Sequence, residues 1–207
     1  MKLVLASRNR GKLKELSAIL SGFGIETVLQ SDVGFDEEVE ENGTTFEENS
    51  LIKAKAVYEA TGLAAIADDS GLMVDALNGE PGVYSARYGG ETCKTDADRN
   101  AHLLENMKDI PDEKRGAKFV SVISCVLTDG TVLTARGECP GVILREGRGA
   151  DGFGYDPLFY VPEENGTYAE ISAERKNQIS HRALAMEEFA RQFAEYQKNK
   201  ENNNADK

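Results

Sequence analysis

Cysteine and long apolar runs are scarce in this chain, and each scarcity removes a class of protein. Cys93, Cys125 and Cys139 form no CxxC pair, and their odd number leaves at least one thiol free in a monomer, which fits a reducing cytoplasm rather than a disulfide scaffold. The most apolar stretch, Phe119–Leu127, is far too short to cross a bilayer and contains Ser121 and Ser124. No charged-then-apolar leader is present, so a soluble protein with no membrane partner is expected. Positive charge is also in deficit. Against 36 Asp and Glu stand only 24 Lys and Arg, a net charge of −12 that repels a nucleic-acid backbone. Internal repeats and interdomain linkers are missing as well, and 207 residues can bury a respectable core.

The segments that are present read as alternating α and β. Lys2–Ala6 is a buried strand, and Leu13, Leu16 and Leu20 recur with helical spacing behind it. Ile25–Leu29 is a second short apolar segment, followed by a loop dense in Asp36, Glu37, Glu38, Glu40 and Glu41. Thr45 and Glu48 have capping-box spacing, Leu51, Ala54 and Tyr58 share one face of the helix that follows, and Gly62 ends it. "LAAIADDSGLMVDAL" predicts a strand, a sharp polar turn at Asp68, Asp69 and Ser70, and a second strand. The Gly- and Pro-rich "NGEPGVYSARYGG" is an ordered loop, and Thr95–Met107 returns to helix. Two β-rich runs from Gly116 onward are joined at Asp129-Gly130, a hairpin turn. "GRGADGFGYDPLFYVP" is glycine-rich, then strand-like over Pro157–Val161, and Ala185, Phe189, Phe193 and Tyr196 mark a last helix. Residues 1–197 read as one α/β domain with two lobes, and the polar tail, 198–207, is expected to be disordered.

Where the first strand hands over to its helix, Ser7, Arg8, Asn9, Arg10, Gly11 and Lys12 crowd backbone N–H groups, a hydroxyl, an amide and cations around a helix N-terminus, which is how anions are held. The segment is not a P-loop. GxxxxGK followed by Ser or Thr would need Gly at Ala6 and a hydroxyl at Leu13. A capped helix, with Ser7 or Asn9 as the cap and its cations solvated, is the plainer alternative. Glu40 or Glu41 with Asp68 or Asp69 could supply the one or two carboxylates that Mg²⁺ takes beside phosphate oxygens and water. If the strand persists through the two aspartates they point to opposite sides, so one could bind metal while the other meets a lysine. Asp68-Asp69-Ser70 lacks the DxD signature of an aspartyl-phosphate nucleophile, which disfavours a covalent intermediate.

Asn49 and Lys53 lie at i and i+4 on one helix face, either as functional groups or with Lys53 a structural lysine paired to Asn49 or a neighbouring carboxylate. Arg175 and Lys176 precede Ser180, which reads as an N-cap with His181 and Arg182 in the first turn. Cations there oppose the helix dipole, so an anionic or acceptor-rich partner such as a phosphate or a carbonyl-bearing base is expected. Phe153, Gly154, Tyr155 and Asp156 offer two rings to stack on a planar base and a carboxylate to accept hydrogen bonds, or else simply a tight turn.

"SRNRGK", "EENGTTFEENSLIKA", "IADDSGL", "PGVYSARY", "GFGYDPLF" and "ISHRALA", in this order, resemble the inosine triphosphate pyrophosphatase family; Asn42, where that family more often has Thr, is a small departure. The resemblance implies an α/β fold with a long mixed sheet flanked by helices, a cleft between two lobes, and a homodimer. It also implies Mg²⁺-dependent hydrolysis of ITP, dITP, XTP and dXTP to the monophosphate and pyrophosphate. Carried over residue by residue, Ser7, Asn9 and Lys12 look like triphosphate ligands, with Arg8, Arg10 and Gly11 in the same loop. Glu40 and Asp69 look like metal ligands and Asp69 like the base, with Glu41 and Asp68 close seconds. From the chemistry alone, Lys12 and Lys53 could stabilise the departing pyrophosphate as point charges. Ser70, Phe153, Gly154, Tyr155, Asp156, Lys176, His181 and Arg182 match substrate-binding positions. Two other readings remain: a Maf-like pyrophosphatase of pyrimidine or modified nucleotides, and a nucleotide sensor without turnover.

Overall fold

A computed structural model describes residues 2–205. Seven strands form one mixed sheet in the order β2-β1-β3-β4-β5-β6-β7. β1 (Lys2–Leu5) lies parallel to both β2 (Glu26–Leu29) and β3 (Ala65–Val74). Beyond β4 (Gly116–Val126) and β5 (Val132–Ile143), the short β6 (Phe159–Val161) and β7 (Gly166–Thr167) add in antiparallel fashion. The β4–β5 connection is the expected tight turn, with Gly130 at φ 82° and the Leu127 N–H bonded to the Thr131 carbonyl at 2.9 Å.

The residues divide into two compact units. The first comprises the chain up to Asp69, Ser121–Gly137 and everything from Arg182 onward. In it, α1 (Arg10–Gly22) buries Leu16 and Leu20 in a core with Leu3, Leu5, Ile66, Ile123 and Phe189. Each such leucine contributes about 2 kcal/mol relative to exposure. α2 (Phe46–Thr61) starts at the predicted Thr45–Glu48 capping box and ends at Gly62, in the left-handed conformation at φ 68°. Its buried face is more polar than its apolar spacing suggests: Asn49, Ser50 and Lys53 are buried beside Ala54 and Val57. The second unit, Ser70–Val120 and Glu138–His181, holds α3 (Asp96–Asn106), capped by Thr95, and α4 (Ala173–Ile179). Its core gathers Leu72, Leu103, Phe119, Phe159 and Tyr168.

Two expectations are corrected. The predicted turn at Asp68-Asp69-Ser70 does not form; β3 continues straight through it, because both carboxylates are met by cations from remote segments and need no solvent. The tail is not irregular either: α5 runs His181–Ala205, a helix already nucleated upstream, and Lys200 reaches Asp129 at 3.2 Å and the Tyr196 hydroxyl at 3.0 Å. Residues 206 and 207 lie outside the described residues. Among the described residues no helix is long and apolar enough to cross a membrane.

All three cysteines are free and buried. Burial pushes the Cys125 thiol up to about 12, so at pH 8 it is protonated and inaccessible. Cys125 is expected to resist a disulfide reagent in native protein and to label only after urea unfolding. Labelling of native protein at the rate of a free thiol, read by peptide mass, would contradict this.

Candidate active site

The pleat of β3 places Asp68 and Asp69 on opposite faces, and each gathers its own cations. Asp68, wholly buried, receives Lys12 Nζ of α1 at 3.0 Å, Arg182 Nε of α5 at 3.4 Å, and the Ser121 hydroxyl of β4. Burial alone would raise this carboxyl, but Lys12, Arg182 and Ser121 outweigh it and hold it well below the usual carboxylate range. Arg182 is held a second time by Glu15 Oε2 at 2.6 Å. Burial, reinforced by Lys53 and Arg182, lowers the Lys12 ammonium's pKa against the opposing pull of Asp68.

On the other face, Lys53 Nζ donates to Asp69 Oδ1 and to Glu41 Oε2, both at 3.0 Å. Desolvation disfavours the Lys53 charge, but the two carboxylates overcome it and raise its pKa. Asp69 goes the other way from Asp68. Burial raises its carboxyl above the usual range despite Lys53 and Lys12, with Glu41 adding to the rise. Its second oxygen, Oδ2, is buried and accepts no hydrogen bond among the described residues. A cation fits there: two adjoining carboxylates, one with an oxygen left over, suit a hard divalent ion that completes its shell with phosphate oxygens and water. Among the described residues no group of three or more His, Cys, Asp or Glu could hold a metal alone.

The paired alternatives left by the sequence differ in their surroundings. Glu41 meets Lys53 and Asp69, whereas Glu40 is exposed. Lys53 pairs with carboxylates and not with Asn49. Asn9 is the N-cap of α1, its side chain accepting from the Lys12 N–H at 3.1 Å, while Ser7 accepts from the Asn9 N–H. Arg8 and Arg10 are exposed, Arg8 lying 3.8 Å from Glu38, and Gly11 opens the helix at half-burial.

The second unit carries the remaining set. Asp156 Oδ2 accepts from the Phe153 N–H at 2.9 Å and from Lys176 Nζ at 2.7 Å. A Cβ at Gly152 would stand 2.1 Å from that oxygen, so the turn requires glycine, which also suits its φ of 82°. Lys176 is buried over the rings of Phe153 (5.3 Å) and Tyr168 (5.1 Å), and His181 stacks on Phe119 at 4.8 Å. Gly154 is pinned at both ends, its N–H to Asp96 and its carbonyl to Asn100 of α3. Ser70 follows on β3, half-buried. Tyr155 is a correction: it is no stacking surface, because its ring is packed in the core and its hydroxyl donates to the Ser85 carbonyl at 2.9 Å. Glu15 and Ser121 were missed. Glu15 lies three residues after Lys12, on the same face of α1, which was the one available signal.

A model of the Ham1 family matches residues 3–192. The chain belongs to the Ham1 family. Among its relatives are the dITP/XTP pyrophosphatases of Shigella flexneri, 51% identical over 89% of this chain and 94% of the relative, and of Desulforamulus reducens, 52% identical over 90% and 92%. The Staphylococcus aureus Ham1 protein, a solved structure, superposes with a TM-score of 0.84 at 41% identity, over 95% of this chain and all of that one. The Ham1 match covers both aspartates, the acidic loop and the His181-Arg182 pair.

Proposed function

We propose that this Ham1-family chain hydrolyses ITP, dITP, XTP and dXTP between the α and β phosphorus atoms, releasing the nucleoside monophosphate and pyrophosphate and so clearing these nucleotides from the pool. The observation that carries the reading is the Lys53–Asp69–Glu41 group with its uncommitted Asp69 oxygen, in a chain half identical to dITP/XTP pyrophosphatases.

In this reading Glu41 and Asp69 hold Mg²⁺, whose chemistry at such a pair is to lower the pKa of water and offset phosphate charge. Asp69 is also the general base: its raised pKa brings the carboxylate toward the range where it accepts a proton effectively. Lys53 fixes Asp69 through Oδ1 and balances the two carboxylates. Lys12, oriented by Asp68, supplies positive charge for the pyrophosphate as it departs, with Ser7, Asn9, Gly11 and nearby N–H groups binding the triphosphate. Arg8 and Arg10 attract the polyanion from the surface. Phe153 and Ser70 contact the nucleoside, and Asp156 holds Lys176 for it. N–H donors of His181 and Arg182 meet the 6-keto oxygen of hypoxanthine or xanthine, and an adenine amine would leave them unpaired. A cytoplasmic homodimer goes with this reading, supported by the three free thiols and the family resemblance.

Incubating ITP with Mg²⁺ and resolving the products is the test. IMP and pyrophosphate are expected; IDP and orthophosphate would refute the proposal.

A further inference from the structure

We propose that Asn49 is the positioning residue that turns Glu41, rather than its neighbour Glu40, toward Asp69, and that it thereby sets the cation affinity of the carboxylate pair. The inference rests on the metal-holding role proposed above for Glu41 and Asp69.

Asn49 is fully buried in α2, one turn before Lys53 and on the same face. Its Oδ1 accepts the Gly43 N–H at 2.9 Å. The approach is close enough that a Cβ on Gly43 would lie 2.7 Å from Oδ1 and 2.7 Å from the Glu48 Cβ. α2 therefore grips the acidic loop twice, Asn49 by the backbone at Gly43 and Lys53 by the carboxylate at Glu41. Val39, Glu41 and Gly43 are half-buried whereas Glu40 and Asn42 are exposed, the alternation of an extended stretch. With Gly43 drawn against the helix, Glu41 faces inward and Glu40 is exposed, as observed. The neighbouring capping interactions, Glu48 Oε2 with the Thr44 and Thr45 N–H groups, hold only the junction with the helix. Without Asn49, Glu41 would depend on the long, rotatable Lys53 side chain alone.

A purely stabilising role accounts poorly for this residue. Its Nδ2 is buried and has no acceptor among the described residues, and an unmatched buried donor opposes folding. Replacing Asn49 with leucine removes both the Gly43 bond and that unmatched donor, so stability is expected to change little while cation binding falls.

The experiment is Mn²⁺ titration of nucleotide-free protein by electron paramagnetic resonance, into the millimolar range, with melting temperatures alongside. Asn49→Leu is expected to weaken Mn²⁺ about tenfold or more, as loss of a group that orients a metal ligand does. Gly43→Ala, which crowds the same contact from the loop side, is expected to do likewise. Glu41→Gln is the reference, and adding Asn49→Leu to it should weaken binding little further, because both act through one carboxylate. Unchanged Mn²⁺ affinity in Asn49→Leu and Gly43→Ala beside a weakened Glu41→Gln would overturn the inference alone. Wild-type affinity in Glu41→Gln, or no binding by the wild type, would overturn the metal-holding role and the inference with it.

Discussion

Asp69→Asn is expected to lower the rate of ITP hydrolysis by about 10²–10⁴-fold, the usual loss when a general base is removed, while the protein stays folded and still binds ITP. The substitution keeps the side chain's shape and an oxygen for Lys53, which retains Glu41 as a charge partner. What it removes is the carboxylate proposed to take the proton. Steady-state turnover with calorimetric ITP binding separates chemistry from binding. Turnover within tenfold of wild type would exclude Asp69 as the base.

Asp68→Ala is expected to destabilise the fold by about 3–5 kcal/mol, because removing one partner from a buried ion cluster leaves the others as uncompensated charge. Lys12 loses its carboxylate at 3.0 Å, and Arg182 loses one carboxylate while retaining Glu15. Turnover should fall too, since the Lys12 ammonium would no longer be oriented. Adding Lys12→Met to Asp68→Ala should recover part of the stability, since it deletes the stranded charge, but none of the activity. Urea unfolding of the two variants checks this. A single variant destabilised by less than about 1 kcal/mol would place Asp68 in the class of weak, solvated pairs.

These two aspartates also mark how far the sequence could be read. The alternation of a strand predicts that adjacent residues serve different partners, and Asp68 and Asp69 do: one takes Lys12 and Arg182, the other Lys53 and Glu41. The strand itself was harder to see. Two adjacent carboxylates before a serine and a glycine have turn chemistry, and what keeps them in β3 comes from residues far away along the chain, which local pattern cannot reveal. The capping box at Thr45 and the hairpin at Asp129-Gly130 were legible because they depend on neighbours only. Glu40 and Glu41 could not be separated by composition; they differ in that Glu41 meets Lys53, twelve residues further along, while Glu40 is exposed. Tyr155 misled for a related reason: an aromatic beside glycines suits a binding loop, but the hydroxyl's partner, the Ser85 carbonyl, lies 70 residues earlier. The tail was misjudged from its polar composition, which rules out a buried core yet permits a helix that continues one already formed.

Hydrolysis of ITP in oxygen-18-labelled water locates the attacked phosphorus. Attack at the α phosphorus leaves one labelled oxygen in the phosphate of IMP and none in pyrophosphate. Label in pyrophosphate, or in orthophosphate released beside IDP, would contradict it.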